Sequence, residues 1–114
     1  MQCLSRGDVW YAEFPSSSRH EQAGRRPAII LADIPKVEMA VVVPLTKNLE
    51  RAELPFTHVI APSKENGLPE ESVALIFQLR ALDKTRFRDK LGVIGPRELT
   101  IIKSMIADMF GIRT

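Results

Sequence analysis

Apolar residues cluster in short runs between turn-forming residues along most of the chain, and the spacing changes only near the C-terminus. Asp8-Val9-Trp10-Tyr11-Ala12-Glu13-Phe14 concentrates β-branched and aromatic residues and reads as a strand. Alternation puts Val9, Tyr11 and Glu13 on one face and Trp10, Ala12 and Phe14 on the other. The polar stretch from Pro15 to Gly24 cannot be a buried element; it exceeds the usual loop of about four to six residues, and such loops often carry function. Pro27–Leu31 is a continuous apolar run suited to a central strand, Asp33–Lys36 turns the chain, and Met39–Val43 returns as a β-branched strand closed by Pro44. Pro55–Ile60 and Ser72–Phe77 read as further strands around a turn-rich connection at Asn66-Gly67, and Ser72–Phe77 runs straight into Gln78–Asp83. Lys84–Arg88 reads as a short helical turn and Leu91–Ile94 as a last strand.

From Pro96 the apolar positions are Leu99, Ile102, Ile106 and Met109, spaced three, four and three, which is one helical stripe. Pro96 suits the first helical position, Glu98 complements the positive end, and Gly111 is placed to end the helix. Ile101 and Met105 widen the apolar face, which a second packing surface such as another subunit would explain. Five to seven short strands closed by one C-terminal helix predict a mainly β (α+β) domain, a small antiparallel β-barrel.

Composition narrows the chemistry. With 114 residues, 45% apolar and 26% charged, the chain is expected to form one domain over residues 1–114. The single cysteine, Cys3, excludes an internal disulfide and a cysteine-based zinc site, and points to a reducing cytosol. No run approaches the roughly 18 apolar residues of a membrane span, and residues 1–6 lack a signal-peptide core, so a cytoplasmic location is expected. His20 and His58 have no partner at metal-ligand spacing, and neither a phosphate loop nor a nucleophile elbow is present, so no metal or other cofactor is expected. The adjacent pair Glu70-Glu71 makes a poor metal clamp because neighbours on an extended chain point to opposite faces. The net charge of +2 conceals a basic strip: Arg80, Lys84, Arg86, Arg88 and Lys90 face only Asp83 and Asp89.

The order Arg6-Gly7-Asp8-Val-Trp-Tyr-Ala-Glu-Phe14, then Glu21-Gln22-x-Gly24-x-Arg26-Pro27, then Val43-Pro44-Leu45-Thr46 resembles the MazF/PemK toxin family. Asn66-Gly67-Leu68, Glu71-Ser72-Val73, Gln78-x-Arg80, Asp83-Lys84-x-Arg86 and the Gly111-ended helix continue the resemblance across residues 6–111. It implies an SH3-like barrel with a C-terminal helix, assembled as a homodimer. It also implies a toxin of a toxin–antitoxin pair that cuts single-stranded RNA such as mRNA, usually at a short sequence and without a metal, and that is held in check by a cognate antitoxin protein.

Metal-free cleavage by the 2′-hydroxyl needs a base for its proton, donors for the charge that builds on phosphorus, and an acid for the departing 5′-oxygen. Arg26 matches the family's catalytic arginine and Thr46 its catalytic threonine. An arginine base would almost never hold a vacant site, so Arg26 reads as electrostatic stabiliser and proton donor, with Thr46 donating to the phosphoryl group. The base is left open among Glu21, His20, water and Arg26 itself. Gln22, Arg25, Lys47, Ser72, Gln78, Arg80 and Arg86 are the candidate RNA-binding residues, Gln78 and Arg80 sharing a face if their strand persists. Arg19-His20 stands where the family more often has Gly-Ser, which alters the loop's options because arginine adopts positive φ only at a cost. Two other classes fit the same small barrel: a non-enzymatic gyrase poison, against which the Gln22–Pro27 segment and Thr46 argue, and a nucleic-acid-binding barrel without chemistry.

Overall fold

The computed structural model describes residues 3–15 and 24–112. Seven strands and one helix follow in chain order: β1 (Asp8–Phe14), β2 (Gly24–Ile34), β3 (Met39–Thr46), β4 (Thr57–Ile60), β5 (Ser72–Leu75), β6 (Arg80–Asp83), β7 (Phe87–Val93) and α1 (Pro96–Phe110). The strands pair antiparallel in the order β4-β5-β3-β2-β1-β7, with β6 also on β3. β3 organises this path. Its first half, Met39–Val42, pairs with β6, whereas Leu45 and Thr46 beyond Pro44 pair with β5.

Both faces of the central strands are buried, which explains the unbroken apolar run in β2. Ala28 and Ile30 join Trp10, Ala12, Phe14, Val42 and Phe87 in one core. Ile29 joins Val9, Val43, Leu45, Ile60 and Ile102 in the other, with Leu31 packed against it. The alternation expected in β1 puts Trp10, Ala12 and Phe14 in the first core and Val9 in the second, while Tyr11 and Glu13 beyond it reach the cleft and the surface.

Helix α1 lies on the second core through Leu99, Ile102, Ile106 and Met109, the stripe the spacing predicts, and Met105 joins them. Pro96 opens the helix, and Gly111, at φ 70°, closes it in the left-handed conformation that glycine adopts without penalty. His58 on β4 meets Glu98 in the first helical turn (Nε2–Oε2 2.5 Å), a tie between sheet and helix that gives this histidine a structural role. No helix among the described residues is long and apolar enough to cross a membrane.

Several boundaries differ from expectation. Pro44 does not close β3, which runs to Thr46 because Leu45 and Thr46 pair with β5, and β4 starts at Thr57 rather than Pro55. β2 begins at Gly24, ahead of the apolar run, because Gly24–Pro27 pair with β1. The run Ser72–Phe77 stops as a strand at Leu75, and Ile76–Gln78 form a 3-10 turn closed by Leu79 N–H donating to the Ile76 carbonyl at 3.1 Å. The expected turn after β6 is also 3-10, over Lys84–Arg86, so the last strand starts at Phe87 instead of Leu91. Asp83 caps that turn by accepting from Thr85 N–H at 2.9 Å and from its hydroxyl at 2.8 Å. Those bonds, the backbone one first, hold the Asp83 carboxyl below the usual carboxylate range.

Candidate active site

Two prolines make the cleft. The β2–β3 ladder runs from Ile34↔Met39 as far as Ala28↔Pro44. Neither Pro27 nor Pro44 has an N–H to extend it. Beyond that point β2 stays with β1, where Arg26 sits opposite Ala12 and Arg25 opposite Glu13, while β3 turns to β5. The two strands part, and a cavity of about 210 Å³ opens between them, lined by Tyr11, Arg25, Arg26, Pro27, Leu45, Lys47, Pro69, Glu70 and Ser72.

Arg26 is half-buried in this wedge, and burial lowers its guanidinium pKa from the ordinary value. A cation held partly out of water binds an oxyanion more strongly and releases its proton more readily. Arg25 is held on the rim: its Nη2 donates to Asp89 Oδ2 at 2.8 Å, and its guanidinium lies 5.3 Å from the Tyr11 ring centroid. Lys47 is exposed at the opposite lip.

Thr46 is buried at the end of β3, where it pairs with Val73 of β5, between Leu45 and Lys47 of the cleft lining. Its Oγ1 accepts from Asn48 N–H at 3.2 Å, which fixes the oxygen while leaving its own proton to donate. Ser72, also buried, donates its hydroxyl to the Glu70 carbonyl at 3.0 Å, so it orders the wall of the cleft.

The remaining candidates are placed elsewhere. Gln78 follows the end of β5 and lines a separate apolar groove with Arg51, Leu54, Pro55 and Phe77. Because the strand does not persist, alternation does not put Gln78 and Arg80 on one face. The Arg80 guanidinium lies 6.0 Å from the Phe14 ring centroid, and Arg86 is exposed on the turn after β6. Glu21, Gln22, Arg19 and His20 lie outside the described residues.

The basic strip at 80–90 is largely spent within the fold. Lys84 pairs with Asp33 (2.8 Å), Arg88 with Glu13 (3.1 Å) and Lys90 with Asp8 (3.4 Å). Its partners come from β1 and β2, which a local charge count cannot see. Tyr11 and Glu70 are polar cleft residues that sequence reasoning missed, as is Asp89, which holds Arg25 at the rim. Only Tyr11 carried a signal, an aromatic in the strand, and it pairs with Pro27 and takes the Arg25 guanidinium on its ring.

An antiparallel sheet on two cores, closed by one C-terminal helix, with an arginine-lined cleft where two strands part, is the architecture of the small MazF-type barrels. A crystal structure of MazF from Deinococcus radiodurans superposes with a TM-score of 0.82 over 98% of this chain and 100% of that one, at 22% identity. A mycobacterial endoribonuclease in complex with its cognate antitoxin gives 0.75 over 98% and 99%, at 21% identity. In sequence, endoribonuclease EndoA of Bacillus subtilis is 36% identical over 91 residues, 77% of this chain and 78% of that protein. Endoribonuclease MazF of Staphylococcus saprophyticus is 29% identical over 114 residues, 97% and 94% of the two chains. The PemK-like, MazF-like toxins of type II toxin–antitoxin systems match residues 5–110, and the chain belongs to that family.

Proposed function

We propose that this chain, a member of an endoribonuclease toxin family, cleaves single-stranded RNA at the cleft between β2 and β3 without a metal ion. The observation that carries the reading is that Arg26 and Lys47 line one cleft, with Thr46 next to Lys47 in the chain, where β2 and β3 part beyond Ala28 and Pro44. A phosphodiester in the wedge is met by the half-buried Arg26 guanidinium and the Lys47 ammonium, which only donate, and by the Thr46 hydroxyl, whose proton is left to donate while its oxygen accepts from Asn48 N–H. The 2′-oxygen attacks phosphorus and the O2′–P bond forms as the P–O5′ bond breaks. The 2′-hydroxyl proton passes to a base, for which Glu21 and His20 are the loop candidates, and a proton from Arg26 neutralises the leaving 5′-oxygen. The products are a 2′,3′-cyclic phosphate and a 5′-hydroxyl.

Incubation with mixed-sequence RNA in EDTA tests this, with end-group analysis of the fragments. Fragments ending in cyclic phosphate support it; intact RNA, or 5′-phosphate ends, overturns it. Thr46→Val keeps the side-chain shape and removes the hydroxyl, so kcat/KM falls about 10–100-fold, the worth of one hydrogen bond to a charged group. Thr46→Ser stays within a few-fold of wild type in the same assay.

A homodimer and a cognate antitoxin complete the reading. Leu54, Phe56 and Phe77 are exposed large apolar side chains, and a second copy of the chain is the occupant the family resemblance implies for such a surface. An antitoxin segment with acidic residues fits the three cations of the cleft and competes there with phosphate.

A further inference from the structure

Glu70 is the one carboxylate among the described residues that line the cleft, and it faces a wall supplied by Arg25, Arg26 and Lys47. The segment that carries it is fixed rather than loose. Asn66 Oδ1 accepts from Ser63 N–H at 3.0 Å and from Leu68 N–H at 2.9 Å, and Asn66 Nδ2 donates to the Ala61 carbonyl at 3.0 Å. The Glu70 carbonyl is then held at 3.0 Å by the Ser72 hydroxyl at the start of β5. The backbone that carries the exposed carboxylate is thus held in place, which leaves only the side chain to be ordered on binding.

A carboxylate only accepts hydrogen bonds and repels phosphate. The cationic wall takes the phosphodiester, and the Glu70 side of the same nucleotide is left to the base. A cleft of about 210 Å³ is smaller than the usual ligand site of roughly 300 Å³ or more, so one nucleotide fills it at a time. Single-stranded RNA presents its Watson–Crick edges for such contacts. Guanine offers two adjacent donors, N1–H and N2–H, that match both carboxylate oxygens. Uracil offers one donor between two carbonyl oxygens, which the carboxylate repels.

We propose that Glu70 is a specificity-determining residue that selects guanine and rejects uracil at the nucleotide bound in this cleft. The proposal rests on the cleavage reading above. Discrimination of this kind arises as much from the repelled base as from the favoured one.

The test uses oligoribonucleotides that carry one cleavable site and vary a single nucleotide on either side of it, with kcat/KM measured for each. Wild type prefers guanine to uracil by about tenfold or more at one position, the discrimination of a bidentate contact. Glu70→Gln, which presents a donor and an acceptor, brings that ratio close to one at that position and leaves the other positions as they were; Glu70→Asp keeps it. A ratio unmoved in Glu70→Gln while wild type cleaves overturns the role of Glu70 and leaves the cleavage reading standing. A uniform loss on every substrate with disappearance of the acidic limb of the pH profile makes Glu70 a base instead and overturns the specificity role. No cleavage by wild type overturns both.

Discussion

Replacing Arg26 by alanine lowers kcat/KM for RNA by about 10²–10³-fold, the cost of removing one preorganised donor from a developing oxyanion. That corresponds to about 3–4 kcal/mol of transition-state stabilisation. The loss falls on kcat more than on KM, because Arg25 and Lys47 still attract the phosphate in the ground state. Thermal unfolding of the variant serves as control: Arg26 sits on the cleft side of β2, outside both apolar cores, so the fold survives its truncation. Arg26→Lys retains a charge and part of the rate, and it changes the pH profile. Burial disfavours the charged form and lowers the pKa of whichever cation occupies the site. An ammonium starts near about 10.4, well under a guanidinium, so it is depressed closer to the working range. The charged form is lost as pH rises through that pKa, and Arg26→Lys therefore loses activity at alkaline pH where wild type holds it. Equal activity of Arg26→Ala and wild type would remove Arg26 from the chemistry altogether.

The cleft shows which features a linear sequence carries and which it does not. Pro27 and Pro44 read as strand boundaries in the sequence, yet both lie inside their strands; what ends beside them is the ladder between β2 and β3, which follows only from the pairing of Ala28 with Pro44. The helix was fully legible, since Pro96, the apolar stripe and Gly111 are all local signals with local physical causes. Strand ends were not. Gly24–Pro27 are polar or turn-forming, yet they extend β2 because β1 offers them partners from Phe14 to Tyr11. At Ile76 the reverse holds: the residue is buried like its strand neighbours, and hydrophobicity cannot distinguish a strand from a 3-10 turn. The consequence reaches function, since Gln78 is displaced into the groove beside Leu54 and Phe77.

Charge was the least legible property. A count over residues 80–90 suggests a basic surface, whereas the fold gives Lys84, Arg88 and Lys90 acidic partners from β1 and β2. Only the Arg88–Glu13 pair is exposed on both sides, where it adds little stability, whereas Lys84 and Asp8 are buried; the effect common to the three pairs is to occupy cations that a local count leaves open to phosphate. Cationic side chains gather instead at the cleft, where Arg25, paired with Asp89 on the rim, stands with Arg26 and Lys47, residues that no short window of sequence holds together. Glu70 is the complement: beside Glu71 it reads as an ordinary solvated charge, and its standing changes only when the segment leading into β5 brings it to the cleft wall.

The wall itself depends on Gly67. At φ 66° it occupies the left-handed region, and a Cβ built there would lie 2.1 Å from the Leu91 carbonyl oxygen of β7. The contact is reciprocal, because a Cβ at Gly92 would lie 2.1 Å from the Glu65 carbonyl oxygen, which accepts from Val93 N–H at 2.8 Å. Loop and strand can pack this closely only with both side chains absent. Gly67→Ala adds left-handed strain of about 1–2 kcal/mol to a backbone clash that no rotamer relieves. The expected destabilisation is about 3 kcal/mol or more, a melting temperature lower by roughly 10–20 °C for a domain of this size. Gly111→Ala separates the two terms: its φ of 70° matches, and nothing lies within 4 Å of the added Cβ. That variant loses only the strain, about 1 kcal/mol. Calorimetry that found the two substitutions equally costly would show that the loop yields to β7 at little cost. The loop that carries Glu70 would then lack the rigidity on which its reading of a base depends.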